Sequence, residues 1–337
     1  MKHYIITNRQ IIREAGQERI NPDGKEPSAD TLRFAEYDDQ TRQVLIYPDI
    51  TDAAINYRAT ANAGGSVHFF NTLFQEMSIS EQNNDTLVYI HGFNTSLQDA
   101  LDGIHDLKQN YIDNRENPIA RIVMFSWPSN DQLLEYRSDR RDADISGYAL
   151  GRAYSKFFKF LKQFFHKSDA TQSHQPCNCN LHLMCHSMGN YVLERMLRTL
   201  IESNSLITTV FKEVILVAAD VDWNVMENPR PLYSITRTCD RVHLYFHLKD
   251  RALTISETTK NSLNRLGKYG PQNIWNIPQH VSVVDASVAS GDSPTNHSYH
   301  LKDKTVITDI SAVLRGERSE DIQKRKFIPH KNIFRLS

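Results

Sequence analysis

The chain has 337 residues, with 39 Lys and Arg against 40 Asp and Glu, and its formal net charge of −1 leaves no global field to draw it to nucleic acid or an anionic membrane. Mean hydropathy is −0.51, and no apolar run approaches the length of a bilayer span, so a soluble protein without a membrane span is expected. Four cysteines, Cys177, Cys179, Cys185 and Cys239, are too few for a disulfide scaffold, and the short apolar run in MKHYIITNRQ is no secretory signal, which sets the expected location as the cytoplasm.

Residues 1–84 read as an N-terminal section packing on a sheet edge. Tyr4–Thr7 and Val44–Pro48 are its expected strands, and the Pro-, Gly- and charge-rich REAGQERINPDGKEPSADT between them reads as a loop. No catalytic pattern stands out in this section. From Thr86 the pattern becomes regular. Thr86–Ile90 is a strand, followed by His91-Gly92-Phe93-Asn94 and a helix over Leu97–Ile112. Arg121–Ser126 is a strand ending in Trp127-Pro128; the polar Ser129–Asp144 follows, then a helix over Ile145–Phe165.

The stretch LHLMCHSMGNYVLERMLRTL, Leu181–Leu200, organises the rest. Leu181–Cys185 is a buried strand, and Met188, Val192 and Met196, four apart, start an amphipathic helix. Between them Ser187 sits at a tight strand-to-helix turn, the context in which a G-x-S-x-G-like match carries meaning. Cys185 stands where that pattern has its first glycine; Gly189 keeps the second. The alternative is an N-cap serine with no chemistry.

Glu213–Ala219 is a strand ending in Asp220-Val221-Asp222, and Arg241–His247 a strand ending in Leu248-Lys249-Asp250. A helix near Leu253–Leu266, a strand at Val281–Val284 and a helix at Thr305–Leu314 complete a domain over 85–316. The charged 317–337 reads as a solvated tail. Strands alternating with helices imply an α/β fold, a mostly parallel sheet covered on both faces, with ligands at the C-terminal strand ends.

A serine hydroxyl needs a base to take its proton and a group to orient that base. Asp250 and then His297, in GDSPTNHSYH, follow Ser187 in the order expected for such a fold. By position Asp220 and Asp222 compete with Asp250, and His300 and His280 with His297. The backbone N–H groups of Met188 and Phe93, the latter after the flexible Gly92, are the candidate oxyanion donors, with His91, Gly92, Asn94, His186 and Gly189 in supporting positions.

The stretches VYIHGFNTSLQDAL, VMFSWPSNDQLLEYRSDRRDA, LHLMCHSMGNYVLERML, VILVAADVDWNVM, VHLYFHLKDRALTIS and NHSYH resemble the α/β-hydrolase superfamily, in a mainly bacterial subfamily of uncharacterised serine hydrolases. The opening YIITNRQ is similar to that subfamily's start. The resemblance runs from about Leu87 to His300 and implies Ser187 as nucleophile, Asp250 as acid and His297 as base. It favours His297 because the family pattern puts the histidine directly before Ser-Tyr, and Asp250 because Asp-Arg-Ala-Leu follows the penultimate strand. Taken with the residues, the expected activity is hydrolysis of a small or medium-sized ester with no cofactor, while the resemblance itself leaves the substrate open.

Ser129–Asp144 and Thr254–His280 are candidates for a rim or lid, with Tyr136, Arg137, Arg140, Arg141, Lys268, Tyr269 and Trp275, where arginines would select an anionic acyl group; the favoured alternative is a solvated charged surface. Two other function classes fit less of the pattern. His174, Cys177, Cys179, His182, Cys185 and His186 are metal-ligand types, but their C-x-C spacing has no second pair. A non-catalytic binding protein on a hydrolase scaffold would not need Ser, Asp and His in this order.

Overall fold

The computed structural model describes residues 1–28, 30–47, 65–78, 83–114, 116–129, 136–165, 179–258, 263–288 and 295–337. In chain order the strands and helices are β1 (Lys2–Thr7), β2 (Ile11–Glu14), β3 (Gln17–Ile20), β4 (Arg33–Asp38), β5 (Gln43–Ile46), α1 (Gly65–Met77), β6 (Asp85–Ile90), α2 (Leu97–Tyr111) and β7 (Ile119–Ser126). Then come α3 (Tyr136–Phe165), β8 (Leu181–His186), α4 (Gly189–Glu202), β9 (Phe211–Val217), β10 (Cys239–Phe246), α5 (Arg251–Thr258) and α6 (Leu266–Tyr269). The chain ends with β11 (Val281–Asp285), α7 (Tyr299–Lys302), α8 (Lys304–Leu314), β12 (Arg325–Ile328) and β13 (Ile333–Leu336).

Among the described residues eleven strands form one sheet in the order β12-β13-β11-β10-β9-β8-β6-β7-β1-β4-β5. From β13 to β1 every neighbouring pair is parallel, and only the outer pairs β12–β13, β1–β4 and β4–β5 are antiparallel. Side chains alternate along β8, so Leu183 and Cys185 enter one core and Met184 the other. The first core lies under α1, α3 and α4, through residues such as Phe69, Leu150, Val192 and Met196; the second lies under α2 and α8, through Leu101, Ile104, Val306 and Ile310. This is the expected sheet covered on both faces.

The chain leaves β6 for β7 on one side and returns to β8 on the other. That reversal opens a crevice at the C-terminal strand ends. α2 starts there with a reciprocal cap: Ser96 Oγ accepts from the Asp99 N–H, and the Asp99 carboxylate accepts from the Ser96 N–H.

Four stretches differ from expectation, the last of them at the C-terminus. The polar N-terminal run holds the β2–β3 hairpin, closed by Ala15 and Gly16 at positive φ, as two-residue hairpin turns require. It also leads into β4, whose alternating RFAEYD pairs with β1 at the sheet edge. α3 begins inside the charged Ser129–Asp144 stretch because its charges have partners on α4: Asp144 pairs with Arg195, and Arg140 lies over the Tyr191 ring. The expected helix at 253–266 is α5, with Leu266 opening the separate α6; 259–262 lie outside the described residues.

Residues 317–337 are not a solvated tail. They supply β12 and β13, and β13 pairs with β11. The run of charges conceals the apolar residues that follow it and one buried cation. Arg325 Nε donates to Asp309 Oδ2 at 2.9 Å, and its other nitrogens donate to Tyr245 Oη at 2.9 Å and Ser319 Oγ at 3.1 Å. Both charged side chains are at most 2% exposed. Arg325→Met strands Asp309 as a buried carboxylate, and a loss of about 3–5 kcal/mol in unfolding free energy is expected. A urea midpoint equal to wild type would show the pair to be dispensable.

Candidate active site

Ser187 leaves the end of β8 at φ 52°, a left-handed backbone that costs a residue with a Cβ roughly 1–2 kcal/mol. Hydrogen bonds hold it there. Its N–H donates to the Val217 carbonyl at 3.0 Å, and its own carbonyl accepts from the N–H groups of Asn190 and Asp220, each at 3.1 Å. The Asn190 amide donates to the carbonyls of Cys185, Ser187 and Val217 at 3.1–3.2 Å, bracing the turn from inside. Asn190 closes the HSMGN motif, but only the folded turn shows the three carbonyls that its amide holds.

Gly189 is required by space: a Cβ there would lie 2.5 Å from the Ile90 carbonyl oxygen and 2.7 Å from that of His91. Gly92 faces the turn equally closely, because its Cβ would sit 2.9 Å from Ser187 Cβ. Cys185, in place of the motif's first glycine, points into the packed core and is fully buried.

His297 and Asp250 meet across loops that follow two different strands. His297 Nδ1 donates to Asp250 Oδ2 at 2.7 Å, and the other carboxylate oxygen accepts from the Leu253 N–H at 3.0 Å. Asp250 is fully buried. Burial alone pulls the His297 pKa down, but the charge and hydrogen bond of Asp250, with the charge of Asp220, outweigh it, and the net shift is upward. With its proton on Nδ1, the imidazole keeps a lone pair on Nε2.

Among the rivals, Asp220 accepts from Ser256 Oγ at 2.7 Å, and Asp222 from Arg265 Nη1 at 2.7 Å. His300 Nε2 meets Tyr89 Oη at 3.0 Å, and burial drives its pKa down to about 3. His280 is exposed just before β11, at the opposite edge of the sheet.

His186 packs between His297 and His300, with ring centroids 4.8 and 4.4 Å away. Its Nε2 lies 3.3 Å from the His297 carbonyl, which only accepts, so Nε2 carries the proton. Burial first, then the charges of His300 and His297, push its pKa well below the ordinary value. Of these three imidazoles, only the one beside Asp250 has its pKa shifted upward.

At the end of β6, His91 Nε2 accepts from the Trp127 N–H at 3.1 Å, which leaves the proton on Nδ1 for the Gly92 carbonyl at 2.8 Å. The Trp127 ring stacks on His91 and donates through Nε1 to its carbonyl at 3.0 Å. Burial, reinforced by the charge of Arg9, lowers the His91 pKa to about 3 and keeps it neutral. A trans peptide directs its C=O and N–H in opposite directions, so tying down the Gly92 carbonyl sets the direction of the Phe93 N–H.

Ser187, His297, Gly92, Phe93 and Asn94 line one cavity of about 520 Å³. Met188, fully buried, follows Ser187. Apolar Met124, Leu253 and Leu301 line the same cavity, with Asp102, Asp106 and Arg251.

The candidate rim residues Arg140, Arg141, Lys268, Tyr269 and Trp275 are not among the cavity's described lining, in keeping with the favoured reading of a charged surface. Arg140 is stacked on Tyr191, Arg141 reaches Asp142 at 3.7 Å, and Lys268 bonds Glu257 at 3.1 Å beneath Tyr269. Trp275 is 72% exposed away from the lining, and the side chains of Tyr136 and Arg137 lie outside the described residues. The Cys/His group disperses as well. His182 bonds Asp85 at 3.1 Å, Cys179 donates to the Met77 carbonyl, Cys185 is in the core, and His174 and Cys177 lie outside the described residues. Among the described residues no set of three or more such side chains is arranged to hold a metal.

Residues 68–318 match the family described as "Alpha/beta hydrolase of unknown function (DUF900)". Over 150 residues the chain is 26% identical to the "Uncharacterized protein alr1448" of Nostoc sp., a match that spans 39% of this chain and 35% of that protein. Among solved structures, an esterase of Pyrobaculum calidifontis aligns with a TM-score of 0.34 and 9% identity, over 69% of this chain and 76% of the esterase. An acylaminoacyl peptidase of Pyrococcus horikoshii aligns with a TM-score of 0.29 and 13% identity, over 81% of this chain and 46% of the peptidase.

Proposed function

The chain belongs to this α/β-hydrolase family of unknown function, and from that premise we propose that it is a serine hydrolase cleaving small or medium-sized carboxylic esters through an acyl-enzyme. The observation that supports this reading most is that Ser187, held at positive φ, and His297, hydrogen-bonded to buried Asp250, line one cavity.

In the proposed cycle Ser187 Oγ attacks the ester carbonyl carbon. An O–C bond forms, the hydroxyl proton passes to His297 Nε2, and the carbonyl π electrons move onto oxygen. The Met188 and Phe93 N–H groups receive that oxyanion. Asp250 keeps the imidazole in the Nδ1–H tautomer and stabilises its cation. Collapse of the adduct breaks the bond to the alcohol, which leaves with the proton from His297. Water then repeats the sequence, with His297 as its base, and releases the acid and Ser187. Both reactant groups and the water are supplied by substrate and solvent, so the scheme balances without a cofactor. A cavity of about 520 Å³ has room for a small or medium-sized ester.

A fluorophosphonate probe tests the reading directly. One label per chain is expected, on the peptide carrying Ser187, and the label is expected to disappear when His297 is replaced by alanine. An unlabelled wild-type protein would favour a binding module on the same scaffold.

A further inference from the structure

Arg9 follows β1, which lies beside β7 and therefore one strand further from β6 and its loop. The side chain is 2% exposed. Its Nη2 donates to the Thr95 carbonyl and its Nε to Ser126 Oγ, each at 2.9 Å. The backbone on either side is fastened too: Arg9 N–H donates to Thr7 Oγ1 at 3.0 Å, and that hydroxyl donates to the Ser126 carbonyl at 2.6 Å. Thr95 is the far anchor of the loop after β6. Its N–H is held by Ser129 Oγ at 2.9 Å, and its hydroxyl reaches the carbonyls of Gly92 and Phe93, each at 3.2 Å.

The guanidinium bonds only neutral oxygens, and no described carboxylate forms an ion pair with it. Burial lowers its pKa to about 10, with the charge of Asp99 opposing, so it remains a cation at neutral pH. Its field reaches the loop, since it is the second-largest contribution lowering the His91 pKa. An unpaired buried charge is costly where a neutral donor would serve the same two acceptors. Retaining it makes sense where negative charge develops nearby.

We propose that Arg9 is a positioning residue for the oxyanion loop: gripping the Thr95 carbonyl, it holds the Phe93 N–H toward the reacting carbonyl and brings a positive charge bonded only to neutral oxygens to the loop that receives the oxyanion. This deepens the serine-hydrolase reading and rests on it.

The test uses the full chain, p-nitrophenyl acetate as substrate and benzeneboronic acid as an inhibitor that mimics the adduct. When Ser187 Oγ bonds to boron and its proton moves to His297, boron becomes four-coordinate and carries the negative charge. Arg9→Met is expected to lower kcat at least ~10-fold with KM within about twofold, and to weaken benzeneboronic acid by a factor similar to that in kcat. Arg9→Lys, which keeps the charge, is expected to recover most of both. Equal kcat and boronate affinity in Arg9→Met and wild type would overturn the proposal, as would Arg9→Lys impaired as badly as Arg9→Met. If Arg9→Met does not fold, Ser126→Ala removes only the Nε contact, and unchanged boronate affinity there counts against the idea. A wild type that neither hydrolyses the ester nor takes a fluorophosphonate would sink the underlying serine-hydrolase reading instead.

Discussion

Ser187→Ala is expected to lower kcat for p-nitrophenyl acetate on the order of 10^5-fold while leaving the melting temperature within a few degrees of wild type. The size follows from the scheme: without Oγ no O–C bond and no acyl-enzyme forms, and only the oxyanion donors and binding remain to assist water. The fold is expected to survive because the bonds that hold the turn are made by the Ser187 backbone and the Asn190 amide, not by the hydroxyl. Alanine tolerates φ 52° no worse than serine does. Turnover retained within tenfold of wild type, on protein free of contaminating esterase, would remove Ser187 from the mechanism.

Asp250→Asn is expected to cost about 10^4-fold in kcat, because asparagine can offer its amide N–H to His297 Nδ1 and so favour the tautomer with the proton on Nε2, where the base must be free. A second signature separates this from general damage. In the proposed cycle the base is neutral His297, so the rate is expected to rise with pH as the imidazole loses its proton. In wild type Asp250 lifts that pKa above the ordinary imidazole value, which puts the acid limb of kcat/KM at correspondingly higher pH. Once the carboxylate is gone, burial dominates, opposed only by the charge of Asp220, and the limb moves to lower pH as the plateau falls. An unshifted limb, or a loss of this size in Asp220→Asn with Asp250→Asn nearly unaffected, would reassign the acid.

Much of the site was legible as local pattern. The alternation of LHLMCH, the small residue at Gly189 and the fourfold spacing of Met188, Val192 and Met196 are properties of neighbouring residues, and they are enough to write a strand, a turn and a helix with Ser187 between. The apparent defect at Cys185 was not resolvable that way. Whether a position tolerates a side chain depends on what crosses it, and here the close approach of the Ile90 and His91 carbonyls falls on Gly189, while Cys185 faces the core. The C-terminal strands were missed for a related reason. Charge density marks a solvated face only if the charges are solvated, and Arg325 is buried against Asp309, 16 positions away.

Periodicity and the order of short motifs were sufficient for the α/β class, the parallel sheet and the edge at which chemistry is to be sought, because those depend on interactions within a few residues and on the handedness of crossovers. Folding was needed to choose among like side chains. His297 bonds Asp250 across 47 positions and leaves Asp220 to Ser256, and Arg9 grips the loop at Thr95 across 86. Nothing local distinguishes those partners from their rivals, since a hydrogen bond is decided by a distance in space that only the packed sheet defines.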